Sequence, residues 1–197
     1  MSNIRNSTTI NDVLNLYKDK KYKLYNGYLD INIFGIRNIF GEQNKFDDAI
    51  GILFNISRTR EDWQMFVCDA TTDPGTYHLN NPGRVEGTAI LCPGQYKQSF
   101  SFGLHKGQYE CLVQIKPVKV YRDNNRNDVL DFINEKDTFS GIQIHRANSS
   151  KKSTQVDKWS AGCQVIADPL DFKEFMNITN DSAKLYGDKF TYTLFED

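Results

Sequence analysis

The chain has 197 residues, 24 basic against 25 acidic side chains, a formal charge of −1 and a hydrophobic fraction of 39%. That size and apolar content support one large domain with a real core, and the charge balance argues against a nucleic-acid binder relying on bulk charge. No apolar run approaches the roughly 20 residues that span a bilayer, and residues 1–14 lack the basic-then-apolar layout of a secretory signal.

Ser7-Thr8-Thr9 can cap a helix that carries Ile10, Val13, Leu14 and Tyr17 at helical offsets, with lysines between 18 and 23 at its far end. Residues 1–25 are therefore expected as a helical extension and 26–197 as the main domain. From there the pattern turns to strands. Thirteen Phe and ten Tyr favour this, because aromatics suit pleated, half-buried surfaces. Strands are expected over 28–37, 46–56 and 63–70, with a hairpin loop at 57–62. Cys68 alternates with Phe66 and reads as a core thiol.

Asp73-Pro74-Gly75 and Asn81-Pro82-Gly83 are turns by chemistry, since Pro presets φ and Gly accepts a left-handed conformation. A short strand over 87–91 ends at Cys92-Pro93-Gly94, with Gln95-Tyr96 following. A strand over 100–104 leads to His105-Lys106-Gly107, and 109–120 is the best alternating strand in the chain. Cys92 and Cys111 read as core or loop thiols. Asp123 to Asn134 has some of the spacing of a calcium loop, yet Asp128 stands where glycine is needed and Asn134 where glutamate is. An Asx-rich turn before a short helix over 129–134 is expected instead.

Asp168-Pro169 is a helix start, with Leu170, Phe172, Phe175 and Met176 set to pack on the sheet. The run 190–195 alternates cleanly and is expected as a terminal strand. The four cysteines, Cys68, Cys92, Cys111 and Cys163, lack paired spacing, which favours a reducing compartment over a disulfide framework.

The stretch 141–166 carries the chemistry. His145 ends one strand-like run and Cys163 opens another, 18 positions later. An adjacent imidazole lowers a thiol's pKa and shuttles its proton. Gly162 permits a sharp turn that aims backbone N–H groups at one point, as an oxyanion hole requires. Ser160 can hold that turn. On chemistry alone, a packed core pair and a zinc site of Cys163, His145 and His105 or His78 stand beside the catalytic reading, although the paired spacing of a metal site is missing.

Ile144-His145, followed by Ser160-Ala161-Gly162-Cys163, resembles the catalytic signature of the L,D-transpeptidase (YkuD-type) domain. With TTDPGTYHLNNP, GTAILCPGQY, HKGQYECLVQ and WSAGCQV, residues 63–176 look like the variant of that domain found in bacteriophage proteins. The resemblance implies a mainly β (α+β) sandwich or barrel with a few short helices. It also implies a cysteine peptidase acting on peptidoglycan stem peptides without cofactor or metal. Cys163 matches the nucleophile, His145 the general base, Gly162 with Cys163 the oxyanion-hole backbone, and Ser160 the signature serine. His105, Arg146, Asp73 and Tyr96 are expected to line the substrate cleft, with Thr72 and Tyr77 at its border. The chain departs from the signature at Arg146, Ala161 and Val165. Hydrolysis is expected over transpeptidation, in a phage lysin or virion-associated enzyme made in the host cytoplasm and acting at the wall after release or virion delivery. The alternative is a virion or tail component that keeps the domain as a scaffold.

Overall fold

The computed structural model describes residues 7–196, so the first six residues of the expected extension lie outside the described residues. It is mainly β. Helix α1 (Ile10–Asp19) starts at Thr9, whose side chain accepts the Asp12 N–H while Asp12 bonds back to Thr9. Its inner face is bound into the main domain. Val13 and Tyr17 are buried against Phe34, Leu53 and Phe195, and Tyr17 Oη reaches Thr193 Oγ1 at 3.2 Å.

Strands β1 (Asn32–Arg37), β2 (Asp48–Asn55) and β3 (Trp63–Thr71) form an antiparallel run. The first is shorter than expected from 28–37, because Leu29 takes a φ of 56° and turns the chain before the ladder begins. After the turn at Pro74, a short helix α2 (Thr76–Asn80), unforeseen in the sequence, precedes β4 (Thr88–Leu91). Strand β5 (Gly94–His105) takes in Gln95 and Tyr96 and is more than twice the expected length.

The expected strand over 109–120 is two strands in two sheets, β6 (Tyr109–Gln114) and β7 (Val118–Asp123). Pro117 has no N–H for a ladder, and Gln114 secures the corner. Its amide donates to Lys116 and Thr138 carbonyls at 2.8 and 2.7 Å and accepts from the Gly141 and Ile142 N–H groups. No helix forms over 129–134. Asn127 and Asp123 side chains take the Val129 and Asp131 N–H groups, which diverts the backbone from helical bonding. Strand β8 (Lys136–Thr138) follows and pairs with β7, making the small sheet β4-β7-β8.

Strands β9 (Gln143–Arg146) and β10 (Gln164–Ile166) complete the wall that carries the candidate chemistry. Helix α3 (Pro169–Tyr186) is capped by Asp168 Oδ1 on the Leu170 N–H at 2.9 Å and lies against β9 and β10. It runs for 18 residues. Phe172, Phe175 and Met176 are buried as expected, whereas Leu170 is 75% exposed, on the outer side of the first turn. The last strand, β11 (Lys189–Glu196), closes the sheet as expected. It pairs parallel with β1 and antiparallel with β5, closing a barrel in the order β1-β11-β5-β6-β9-β10-β3-β2. Ile33, Ile50, Ile52, Phe100, Leu112, Ile144, Ile166 and Tyr192 are among the residues of its core.

Candidate active site

Strands β9 and β10 run parallel, with Gln164 opposite Ile144 and Val165 opposite His145. Ile144 and Ile166 belong to the core cluster, so period-two alternation turns Gln143, His145 and Val165 to the other face. Extending the register sets Cys163 across from Gln143. It is then a diagonal neighbour of His145 on that face, at the roughly 7–8 Å backbone separation that long side chains bridge.

The His145 ring is 2% exposed and fixed from several directions. Its Nδ1 lies 2.8 Å from the Arg146 carbonyl oxygen, which assigns the proton to Nδ1 and leaves a lone pair on Nε2. Among the described residues Nε2 has no hydrogen-bond partner. His105 stacks on the ring with centroids 4.1 Å apart, and its own Nδ1 donates to Gln143 Oε1 at 2.6 Å. Tyr109 Oη donates to the same Arg146 carbonyl at 3.1 Å, while the Arg146 guanidinium sits 3.9 Å from the Tyr109 ring centroid. The arginine that replaces the signature glycine is thus held over an aromatic face at the rim.

Cys163 is half-buried, and its thiol is directed at the Gly141 carbonyl, 3.9 Å away. Among the described residues no hydrogen bond joins its sulfur to the imidazole. Burial holds the thiol up at about 11, against the pull of a Gln143 backbone contact and the Lys106 charge. Burial likewise depresses His145 to about 3, assisted by the charges of His105, Lys106 and Arg146 and opposed by the bond to the Arg146 carbonyl. Both groups are therefore uncharged at neutral pH.

The turn before the cysteine is built by Ser160 and Gly162. Buried Ser160 donates to the Cys163 carbonyl at 2.8 Å and accepts the Gly162 N–H at 3.1 Å. Its role is to staple the turn. Gly162 has a φ of +113°, and a Cβ there would stand 2.2 Å from the Ala89 carbonyl oxygen, so only glycine fits. Beneath the strand, Gln164 accepts from Tyr192 Oη at 2.8 Å and donates to the Thr72 carbonyl at 3.2 Å.

Of the expected site residues, His145, Cys163, His105 and Arg146 come together. Asp73 and Tyr96 do not join them. Asp73 Oδ1 pairs with Arg37 Nε at 2.8 Å, and Tyr96 Oη donates to the Cys92 carbonyl at 2.6 Å. Thr72 is tied to Asp48, and Tyr77 lies exposed on α2. Lys106, Tyr109, Gln143 and Gln164 were not anticipated. The signal for Lys106 was its turn. Lys106 and Gly107 have φ of 49° and 71°, and the Gln108 N–H bonds the His105 carbonyl at 2.9 Å, a tight turn within the three-residue loop between the paired His105 and Tyr109. That hairpin brings the ammonium near enough to bear on the titration of His145, Cys163 and His78 alike.

Among the described residues no three His, Cys, Asp or Glu side chains are grouped to hold a metal ion, and no helix is long and apolar enough to cross a membrane. A lone pair on a fixed imidazole beside a neutral thiol can accept that thiol's proton as the sulfur attacks an electrophile. Comparison with protein-family models, curated proteins and solved structures returns no match to this chain.

Proposed function

We propose that the chain is a cysteine peptidase of the L,D-transpeptidase-like type, on the barrel variant of that fold, acting on peptidoglycan stem peptides. The observation that carries the reading is the placement of His145 and Cys163 on one face of adjacent parallel strands, with Nδ1 locked on the Arg146 carbonyl and Nε2 free. Cys163 Sγ attacks the scissile carbonyl carbon while its proton passes to His145 Nε2. The carbonyl electrons move onto oxygen. They return as the C–N bond breaks, and His145 delivers the proton to the departing amine. Water then attacks the thioester with the same base, releasing the acid and restoring the thiol; an amine in place of water gives transpeptidation. The Gly162 N–H is committed to Ser160, so the Cys163 N–H is the oxyanion donor in this scheme. Hydrolysis is the favoured outcome for a phage lysin or virion-associated enzyme.

The starting pair is neutral rather than a thiolate–imidazolium ion pair, because burial holds one group near 11 and the other near 3. Alkylation of Cys163 by iodoacetamide is accordingly expected to accelerate steadily with pH toward about 11, without a plateau near pH 6–7. Digestion of purified peptidoglycan, read by mass analysis of released fragments, tests the function. Cys163→Ala and His145→Ala should each reduce cleavage by about a thousandfold or more; the same fragments from Cys163→Ala protein would end the proposal. One observation favours the second reading, a non-catalytic virion or tail scaffold: the thiol is directed at the Gly141 carbonyl rather than at the imidazole. A folded protein that releases nothing from any wall preparation supports it.

A further inference from the structure

A groove of about 610 Å³, with Tyr77, Trp159, Asn80, Asn81, Asp157 and Lys158 among its lining residues, takes no part in the acyl transfer described above. Tyr77 and Trp159 stand 43% and 41% exposed, two aromatic side chains left in water. The Lys158 ammonium covers one face of Tyr77 at 4.4 Å, which leaves the Trp159 indole as the open platform.

The polar rim is only partly committed. Asn80 directs its amide nitrogen to the Thr76 carbonyl and to Asp128, and Asn81 directs its own to the Tyr77 carbonyl. Asp157 Oδ1 is taken by Asn44. Among the described residues, the two amide oxygens, Asp157 Oδ2, the Trp159 indole N–H, the Tyr77 hydroxyl and the Lys158 ammonium are without hydrogen-bond partners. Acceptors and donors of both kinds around an aromatic platform complement a pyranose ring with one apolar face, several hydroxyls that donate and accept, and an amide. An N-acetylhexosamine has that chemistry.

The groove lies near the candidate nucleophile along the chain. Trp159 precedes Cys163 by four residues, so the chain bounds their separation at roughly 14 Å. His78 Nε2 lies 3.4 Å from the Lys158 carbonyl oxygen, and Lys106 bears on both His78 and Cys163. A stem peptide of three or four residues spans roughly 10–14 Å. We propose that this groove binds N-acetylhexosamine units of a glycan strand while the peptide borne by that strand reaches Cys163. The inference rests on the peptidase reading and names the part of the substrate that reading leaves unassigned.

The test titrates the full chain with chitotetraose and, separately, with peptide-free wall glycan, following tryptophan fluorescence. A saturable change with either saccharide is expected, and the tighter of the two identifies the source. Trp159→Ala should abolish the change and Tyr77→Ala should weaken binding about fivefold or more, with circular dichroism verifying that both variants are folded. No saturation by either saccharide, or saturation of this groove by the free stem peptide alone, overturns the proposal. Binding is measured without turnover, so the two ideas fail separately. Wall peptide cleavage without saccharide binding removes the groove assignment alone, and saccharide binding by a chain that cuts no peptide removes the peptidase reading alone.

Discussion

The barrel holds two buried polar clusters, and they differ in what is left over. Around Arg37, 1% exposed, nearly everything is committed. Its Nε meets Asp73 and Thr72, Nη1 meets Glu196 at 3.1 Å, and Nη2 meets the Leu91 and Thr72 carbonyls at 2.8 and 3.3 Å. Asp48 beside it accepts from the Asn38 N–H and from both the N–H and hydroxyl of Thr72. Around Cys163 the opposite holds: an imidazole nitrogen is unpartnered and the thiol makes only a long contact to the Gly141 carbonyl and one to the Gln143 backbone. Burial perturbs both clusters, pushing Asp48 up to about 7 with help from the Asp73 charge and His145 down to about 3. A shifted pKa therefore does not separate scaffold from chemistry here; Asp73 Oδ1 in the Arg37 cluster also lacks a hydrogen bond but has the guanidinium charge against it, whereas the imidazole nitrogen has neither.

That contrast is open to challenge by substitution. Arg37→Ala would strand the Asp48 and Asp73 carboxylates without a countercharge, and should cost about 3–5 kcal/mol in denaturant unfolding. Gly162→Ala forces a strained φ and a collision with the Ala89 carbonyl, and about 1–3 kcal/mol is expected from the same measurement. The pH dependence sharpens the comparison because the two clusters oppose in sign. With its folded pKa depressed, His145 contributes stability above the unfolded value near 6.5, and that contribution is lost as pH falls toward about 3. With its folded pKa raised, Asp48 contributes stability at low pH that is lost as pH rises from the unfolded value near 3.8 through about 7. Replacing His145 with Gln should therefore reduce the stability lost between pH 7 and pH 5 by about 2 kcal/mol, as measured by unfolding at the two pH values. Cys163→Ala should have the smallest effect on stability, under about 1 kcal/mol, because its sulfur is half-buried and weakly bonded. A loss as large as that of Arg37→Ala would place the thiol among the scaffold groups.

Much of the wall bearing His145 and Cys163 was legible in sequence, since two short apolar runs each deliver a reactive side chain at a strand end. The α3 start was legible too, from Asp168 and Pro169. The split at Pro117 was signalled by the proline itself but overridden by good alternation on either side. Residues 129–134 misled because an apolar pattern says nothing of the Asn and Asp side chains upstream that capture its N–H groups. Arg37 looked like the tail of a strand; its burial depends on Asp48, Asp73 and Glu196, which only the closed barrel gathers. The His105–His145 stack was equally hidden, because it requires β5, β6 and β9 to lie side by side.

The position of β11 has a temporal consequence. Tyr192 is the residue whose hydroxyl steadies Gln164, next to the cysteine, and its strand also seals the seam between β1 and β5. A nascent chain emerging from the ribosome has the sulfur and the imidazole long before it has that support. The surroundings of the thiol are thus complete only once β11 has been made, and a polypeptide stopped short of residue 189 would carry the sulfur and the imidazole in an unfinished cradle.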